Sequence, residues 1–236
     1  MSLLTQNPAS AGQTLFTSSS TQMHDLGAQM TTPDGRKFRY VKMGAVAAVP
    51  GKLYQSAAQD TGIQNLTAVA ASAGATEVSF STTVTVTANQ YAGAYIMVSV
   101  TPDVGRLYRI KSHAAYTAAA PTFVLEDAIQ NAWTTSTRCD VVANPYTAVI
   151  VNPATASSAP IGSAIYAIAA GEFGWLQTKG PACLLADGAV TVGTAVVASN
   201  AVAGAVEPLT GVQAPVGIAL TGIADTEYGA IFLTLE

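Results

Sequence analysis

Charge is scarce in this chain. Of 236 residues only 10% are Asp, Glu, Lys or Arg, against about a quarter in an ordinary soluble domain. So few cations form no dense basic stripe with interleaved aromatics, and that excludes the usual nucleic-acid-binding pattern. There are two histidines and two cysteines, and His24, His113, Cys139 and Cys183 show no metal-ligand spacing. Cys139 and Cys183 read as buried free thiols of a reducing compartment, with a single disulfide as the other option. No apolar run approaches the ~18 residues of a membrane-spanning helix, and no basic segment followed by an apolar one marks a signal peptide. Sustained helical periodicity is absent too: residues 127–133 offer one helical turn at most.

Catalytic patterns are equally thin. Ser112 beside His113 suggests a hydrolase, but adjacent residues on a strand face opposite ways and do not form a nucleophile–base pair. His113 is expected to be a strand-end or loop histidine and His24 incidental. Glu126-Asp127 is an isolated acidic pair of the solvated kind. There is neither a G-x-S-x-G elbow nor a Gly-rich loop opening a helix. No catalytic, cofactor-binding or metal-ligating residue is therefore nominated, and an enzyme is the least expected class.

What is present is β-structure. Half the residues are apolar, mostly Ala and Val, with Thr and Gly beside them. The stretch from Pro160 to Leu176 returns 55 positions later, from Pro215 to Ile231, without a gap. Each copy predicts a hairpin: strand Gly162 to Ile168, turn Ala169 to Glu172, and a second strand opening at Phe173 or Tyr228. Two copies are too few for a solenoid. They are expected to pair within one small barrel, with Phe173 and Tyr228 in equivalent core positions and the first half of the chain outside the repeat. Lys37-Phe38-Arg39-Tyr40-Val41-Lys42 alternates as a half-exposed strand, and Arg106-Leu107-Tyr108-Arg109-Ile110-Lys111 alternates too, with neither face cleanly apolar.

The predicted fold class is all-β: a small β-barrel or sandwich base domain, discontinuous over 31–58 and 160–236, with an inserted β-domain at 61–155 and an extended N-terminal arm at 1–30. Residues 31–58 and 160–236 share short strands, Gly turns and Ala/Val filling, whereas 61–155 is richer in Thr, Tyr and Arg. An insertion of this kind needs only two neighbouring junctions in a surface loop. Leu3, Leu4, Leu15, Phe16, Met23, Leu26 and Met30 make the arm more apolar than a solvated tail, so it is expected to order on a neighbouring subunit.

Charge is also uneven. Residues 1–119 hold eight cations against five acids, net +3, and 120–236 hold two against nine, net −7. Opposite signs suit head-to-tail docking between copies. Arg36, Lys37, Arg39 and Lys42 form the one basic cluster, read either as a solvated strand face or as a patch for an acidic partner. With Leu15 and Phe16 they are the candidate capsid or inter-subunit contacts.

Phe38-Arg39-Tyr40-Val41-Lys42 followed by Pro50-Gly51-Lys52-Leu53 resembles the opening of capsid decoration (cement) proteins of tailed bacteriophages. So do Ala186-Asp187-Gly188-Ala189-Val190-Thr191-Val192-Gly193, Pro215-Val216-Gly217-Ile218-Ala219, and the hairpins ending in Gly174-Trp175-Leu176-Gln177 and Gly229-Ala230-Ile231-Phe232-Leu233. The resemblance covers about 31–58 and 160–236. It implies a non-enzymatic protein, without cofactors, made in the host cytoplasm and carried on the capsid exterior of the virion. Its partners would be the major capsid protein and copies of itself, as trimer or dimer, with no nucleic acid and no membrane. Deleting residues 1–30 is then expected to leave a folded protein that no longer holds to capsids. A carbohydrate-binding or adhesive β-module is the alternative.

Overall fold

The structure, a computed structural model, describes residues 13–82, 84–117 and 120–236. Leu3 and Leu4 of the expected arm lie outside them. The chain is all-β and divides into two compact units, 1–58 with 145–236 and 59–144.

The strands follow in chain order. β1 (Gln29–Thr31), β2 (Lys37–Lys42) and β3 (Leu53–Gln55) belong to the first unit. β4 (Leu66–Ala68), β5 (Glu77–Ser81), β6 (Tyr95–Val100), β7 (Leu107–His113), β8 (Thr122–Leu125) and β9 (Arg138–Val142) form the second. β10 (Ile150–Val151), β11 (Pro160–Ala164), β12 (Phe173–Leu185), β13 (Ala195–Ala198), β14 (Val206–Pro208), β15 (Gly217–Ala219) and β16 (Tyr228–Thr234) complete the first. The return to the first unit comes at 145, earlier than the sequence boundary of 155, because Ile150 and Val151 pair with Gln55 and Tyr54. Residues 127–133 form no helix; they are bends and a bridge from Trp133 to Ala71.

The second unit closes into a six-stranded barrel, β4-β5-β8-β7-β6-β9. Its strands alternate as a barrel wall requires: Tyr108, Ile110 and His113 of β7 are buried, and Leu107 and Lys111 are exposed. Phe80, Ile96, Ile110, Phe123 and Trp133 fill its interior.

The first unit is one ten-stranded sheet in the order β10-β3-β11-β12-β16-β15-β13-β14, with β2 on β12 and β1 on β2. The two repeated hairpins match in register. Ser163 and Ala164 oppose Gln177 and Leu176; Ile218 and Ala219 oppose Phe232 and Ile231. The repeated glycines are required by close approach. A Cβ on Gly162 would stand 2.8 Å from the Leu176 Cβ, and one on Gly217 2.5 Å from the Phe232 carbonyl oxygen. The first strand of each hairpin is shorter than predicted. β11 ends at Ala164, and Ile168 reaches away to bridge Ala48, as Ile223 bridges Val190.

Those two bridges extend the duplication past the hairpins, to strands the sequence reading left outside it. β2 lies on the first half of β12 with Tyr40 opposite Trp175 and Val41 opposite Gly174. The second half of β12 lies on β16 with Cys183 opposite Ala230 and Leu184 opposite Gly229. Leu53 pairs with Ser163 as Ala195 pairs with Ile218. Met43 makes a parallel bridge to Val149, and Ala186 to Val206. The Gly44 N–H donates to the Val149 carbonyl and the Asp187 N–H to the Val206 carbonyl, each at 2.8 Å. Apart from β1, the sheet of the first unit is thus two copies of one five-strand motif, β2-β3-β10-β11-β12 and β12-β13-β14-β15-β16, sharing the long strand β12. In the second copy the connection from β13 to β14 is the short segment 199–205. In the first copy the same connection, β3 to β10, carries the whole barrel.

Candidate interaction surface

Residues 13–31 lie on the first copy of their own sheet. Gln13 is buried; its Nε2 donates to the Phe173 carbonyl at 2.9 Å, and its Oε1 accepts from the Tyr40 hydroxyl at 2.6 Å. Ser19 and Phe173 exchange both backbone hydrogen bonds. Ser18 donates to the Glu172 carboxylate, and the Met23 N–H donates to the Tyr40 hydroxyl at 3.1 Å. Below the segment is an aromatic cluster. Tyr40 meets Trp175 edge to face at 5.0 Å and stacks on Phe173 at 6.0 Å, with Met30 and Phe38 beside them and Leu15, Leu26 and Ala28 as the cover. Burial raises the Tyr40 phenol above its ordinary pKa, only partly offset by the Met23 hydrogen bond. Segment 13–31 is therefore a structural lid on its own chain, because an apolar, aromatic sheet face is more stable covered than in water.

The basic cluster is largely engaged at home as well. Arg36 pairs with Asp34 at 2.7 Å and lies over the Phe38 ring at 5.6 Å. Arg39 pairs with Glu236 and donates to the Gly27 carbonyl at 2.8 Å. The Glu236 hydrogen bond, opposed by some burial, holds the Arg39 guanidinium firmly charged. Lys42 sits 5.4 Å above the Phe173 ring. Lys37 is half-exposed on β2 and forms no ion pair among the described residues. Leu15 packs into the aromatic cluster, whereas Phe16 is exposed and meets Tyr166 edge to face at 6.4 Å. Of the six candidate contacts, Phe16 is the most exposed, Lys37, Arg36, Arg39 and Lys42 are half-exposed, and Leu15 packs into the sheet's aromatic cluster.

The polar chemistry of the barrel is structural. Asp103, at φ 73°, is buried and accepts from the Tyr108 hydroxyl at 2.5 Å, Trp133 Nε1 at 3.0 Å and Asn131 Nδ2 at 2.9 Å. Burial pushes its pKa up, but these three donors and the nearby Arg106 more than offset that, so the carboxyl lies below its ordinary value. His113 is buried at the end of β7. Its Nε2 accepts from the Tyr91 N–H at 2.9 Å and its Nδ1 faces the Ala114 carbonyl at 2.9 Å, which fixes the Nδ1–H tautomer. Ser112 points to the other face, as strand alternation requires. Among the described residues no group of three or more His, Cys, Asp or Glu converges on a point. Both cysteines are free. Cys139 is fully buried, and desolvation, with Asp140 and Asp103 nearby, pushes its thiol up to about 12. Cys183, expected to be buried, is exposed because it sits on the outward face of β12.

Two features are open to a partner. One is the β6–β7 hairpin of the barrel, where exposed Met97 and Leu107 oppose each other and exposed Val100 and Val104 follow. The other is the outward face of the second copy of the sheet, where Ile218, Leu220 and Tyr228 are exposed. Sequence reading missed both, because a surface residue with apolar character looks the same as a core residue until its strand partners are known. No known protein family, curated protein or solved structure matches the chain.

Proposed function

We propose that the protein is a structural component of a phage virion that binds the outer surface of the capsid and bridges capsomers. The carrying observation is that both stretches resembling decoration proteins, 31–58 and 160–236, enter one ten-stranded sheet. The segment between them folds as a separate barrel. A base with a second module carried in one of its loops suits a protein that grips a lattice with one part and displays another. Sparse charge and exposed apolar side chains on both units support contact-based binding.

Mechanically, a protein that binds only the assembled lattice stabilises it by mass action. Modest contacts repeated on neighbouring subunits raise residence time through effective concentration. Arg36, Lys37, Arg39, Lys42, Leu15 and Phe16 are the candidate contacts for the major capsid protein, with Phe16 the most exposed of them. An adhesive module would favour a platform of exposed rings. Among the described residues the large exposed rings are Phe16, Tyr166 and Tyr228, of which only Phe16 and Tyr166 form a ring pair.

The test is co-sedimentation of the full chain with assembled capsids of the phage that encodes it. The expected result is saturable binding that raises the temperature at which the capsids open. Absence of the protein from the capsid pellet at saturating concentration overturns the proposal.

A further inference from the structure

The duplication gives the sheet two related strand edges, and the described chain one segment that pairs with such an edge. On the first copy the Gly27 N–H donates to the Tyr40 carbonyl at 2.8 Å, the Tyr40 N–H to the Ala28 carbonyl at 3.0 Å, and the Thr32 N–H to the Arg36 carbonyl at 2.9 Å. Met30 lies opposite Phe38. Arg36, Phe38 and Tyr40 thus turn their main-chain groups to the outer edge of β2, where residues 27–32 take them. Val41, next along β2, pairs with Gly174 as Leu184 pairs with Gly229. The same edge of the second copy is therefore Lys179, Pro181 and Cys183. The rings beside the two edges differ in exposure: Phe173, under the lid, is 7% exposed and its counterpart Tyr228 is 51% exposed. The expectation that both rings are core is corrected, and segment 13–31 makes the difference.

The second edge is capped from within its own strand. Pro181, in the place of Phe38, has no N–H to offer an incoming strand. Its carbonyl accepts from Gln177 Nε2 at 2.8 Å, and the same amide donates to the Lys179 carbonyl at 3.1 Å. One side chain therefore does at Lys179 what the Thr32 N–H does at Arg36. Gln177 is fully buried, and its Oε1 has no partner among the described residues. A flipped amide would set that oxygen against two carbonyl oxygens, so the capping orientation is kept although it leaves a buried acceptor unpaired. Further along, the Leu185 N–H donates to the Gly51 carbonyl at 2.9 Å. The Pro181 and Cys183 side chains are exposed, so this edge lies at the surface and its backbone chemistry decides whether a strand can add.

We infer that Gln177 and Pro181 close the second copy to strand addition, so that segment 13–31 is accepted at β2 alone. The duplication itself is the reason for closing it. An open edge strand recruits extended chain through main-chain hydrogen bonds. A segment that left its own β2 for the second copy of a neighbour would vacate one edge and fill another. Each chain would then give one segment and take one, a head-to-tail contact that grows into rings or open filaments. Capping the second edge stops that exchange at its first step. The inference stands independently of capsid binding.

The experiment uses the full chain and a fluorescent synthetic peptide of residues 13–35. The chain's own segment occupies β2, so peptide uptake reports on the second edge. Pro181→Thr, which restores an N–H at an exposed position, is expected to bind the peptide about tenfold more tightly than wild type. Adding Gln177→Met is expected to tighten binding again. Both variants are expected to form oligomers that lengthen with concentration in sedimentation velocity. A peptide carrying Met30→Pro lacks the N–H that would pair at position 181 and is expected not to bind. Melting temperature and far-ultraviolet circular dichroism establish that each variant is folded, and Pro181→Thr alone carries the test where the double variant is not. Equal affinity of wild type and folded Pro181→Thr for the peptide overturns the inference. Binding that Met30→Pro leaves unchanged also overturns it, because the peptide is then held by its side chains and not as an added strand.

Discussion

Asp103 shows how a single buried carboxylate organises the barrel. It collects donors from Tyr108, Trp133 and Asn131, so removing it orphans two buried aromatic donors at once. Asp103→Ala is expected to cost the barrel about 2–4 kcal/mol, read from urea unfolding followed by Trp133 fluorescence; an unchanged midpoint would contradict the hub. The sign of the pH dependence follows from the depressed pKa. The ionised form is favoured in the folded state, so its stabilisation is complete above the ordinary value of 3.8 and is lost as pH falls through the lower, folded-state value. The wild-type advantage over Asp103→Ala should therefore shrink in acid, below about pH 4. None of this is legible in the sequence. Only the closed barrel brings positions 103, 108, 131 and 133 together.

At the scale of elements, the N-terminal segment and the long strand β12 matter most. The apolar residues Leu15, Leu26 and Met30 correctly marked the segment as something that binds a surface. What they did not specify was whose surface. The structure gives them Tyr40, Phe173 and Trp175 of the same chain, which changes the expected result of a truncation. Removing residues 1–31 exposes several aromatic side chains, each worth roughly 1.5–3 kcal/mol of burial. We expect a base sheet destabilised by about 3 kcal/mol or more, with dye binding to the exposed aromatics. A truncated protein with full stability would return the segment to the role of a free arm. The strand β2 was legible as a strand, and its alternation was read correctly, with Phe38 and Tyr40 on one face. The engagement of Arg39 by Glu236 was not, because the two lie 197 positions apart.

For the whole molecule, the duplication makes a prediction about the insertion. The second copy closes the β13–β14 connection with 199–205, where the Ser199 hydroxyl donates to the Asp187 carboxylate at 2.5 Å and accepts the Val202 N–H at 2.8 Å. Replacing residues 57–148 with this short connection is expected to leave a folded base sheet, with cooperative unfolding and a β-type far-ultraviolet spectrum. Loss of the base on removing the barrel would mean that the two units are not separately stable. The shift in Thr, Tyr and Arg content located the insertion to within a few residues at its start. Its end was misplaced, because β10 is two residues long and carries no compositional mark.

The sequence by itself determined the all-β class, the discontinuous organisation and the paired hairpins. Those follow from strand alternation, turn glycines and repeated residues, which are local. Only the tertiary structure decided that the duplication takes in nine of the sheet's ten strands, that one of its faces is lidded by segment 13–31 of the same chain, and that Tyr228, Ile218 and Leu220 on the other are exposed. Lys37-Phe38-Arg39-Tyr40-Val41-Lys42 and Gly180-Pro181-Ala182-Cys183-Leu184-Leu185 look unrelated as text. They are equivalent because backbone register, not side-chain identity, sets where a strand lies, while the side chains were free to diverge once one face was covered and the other was not.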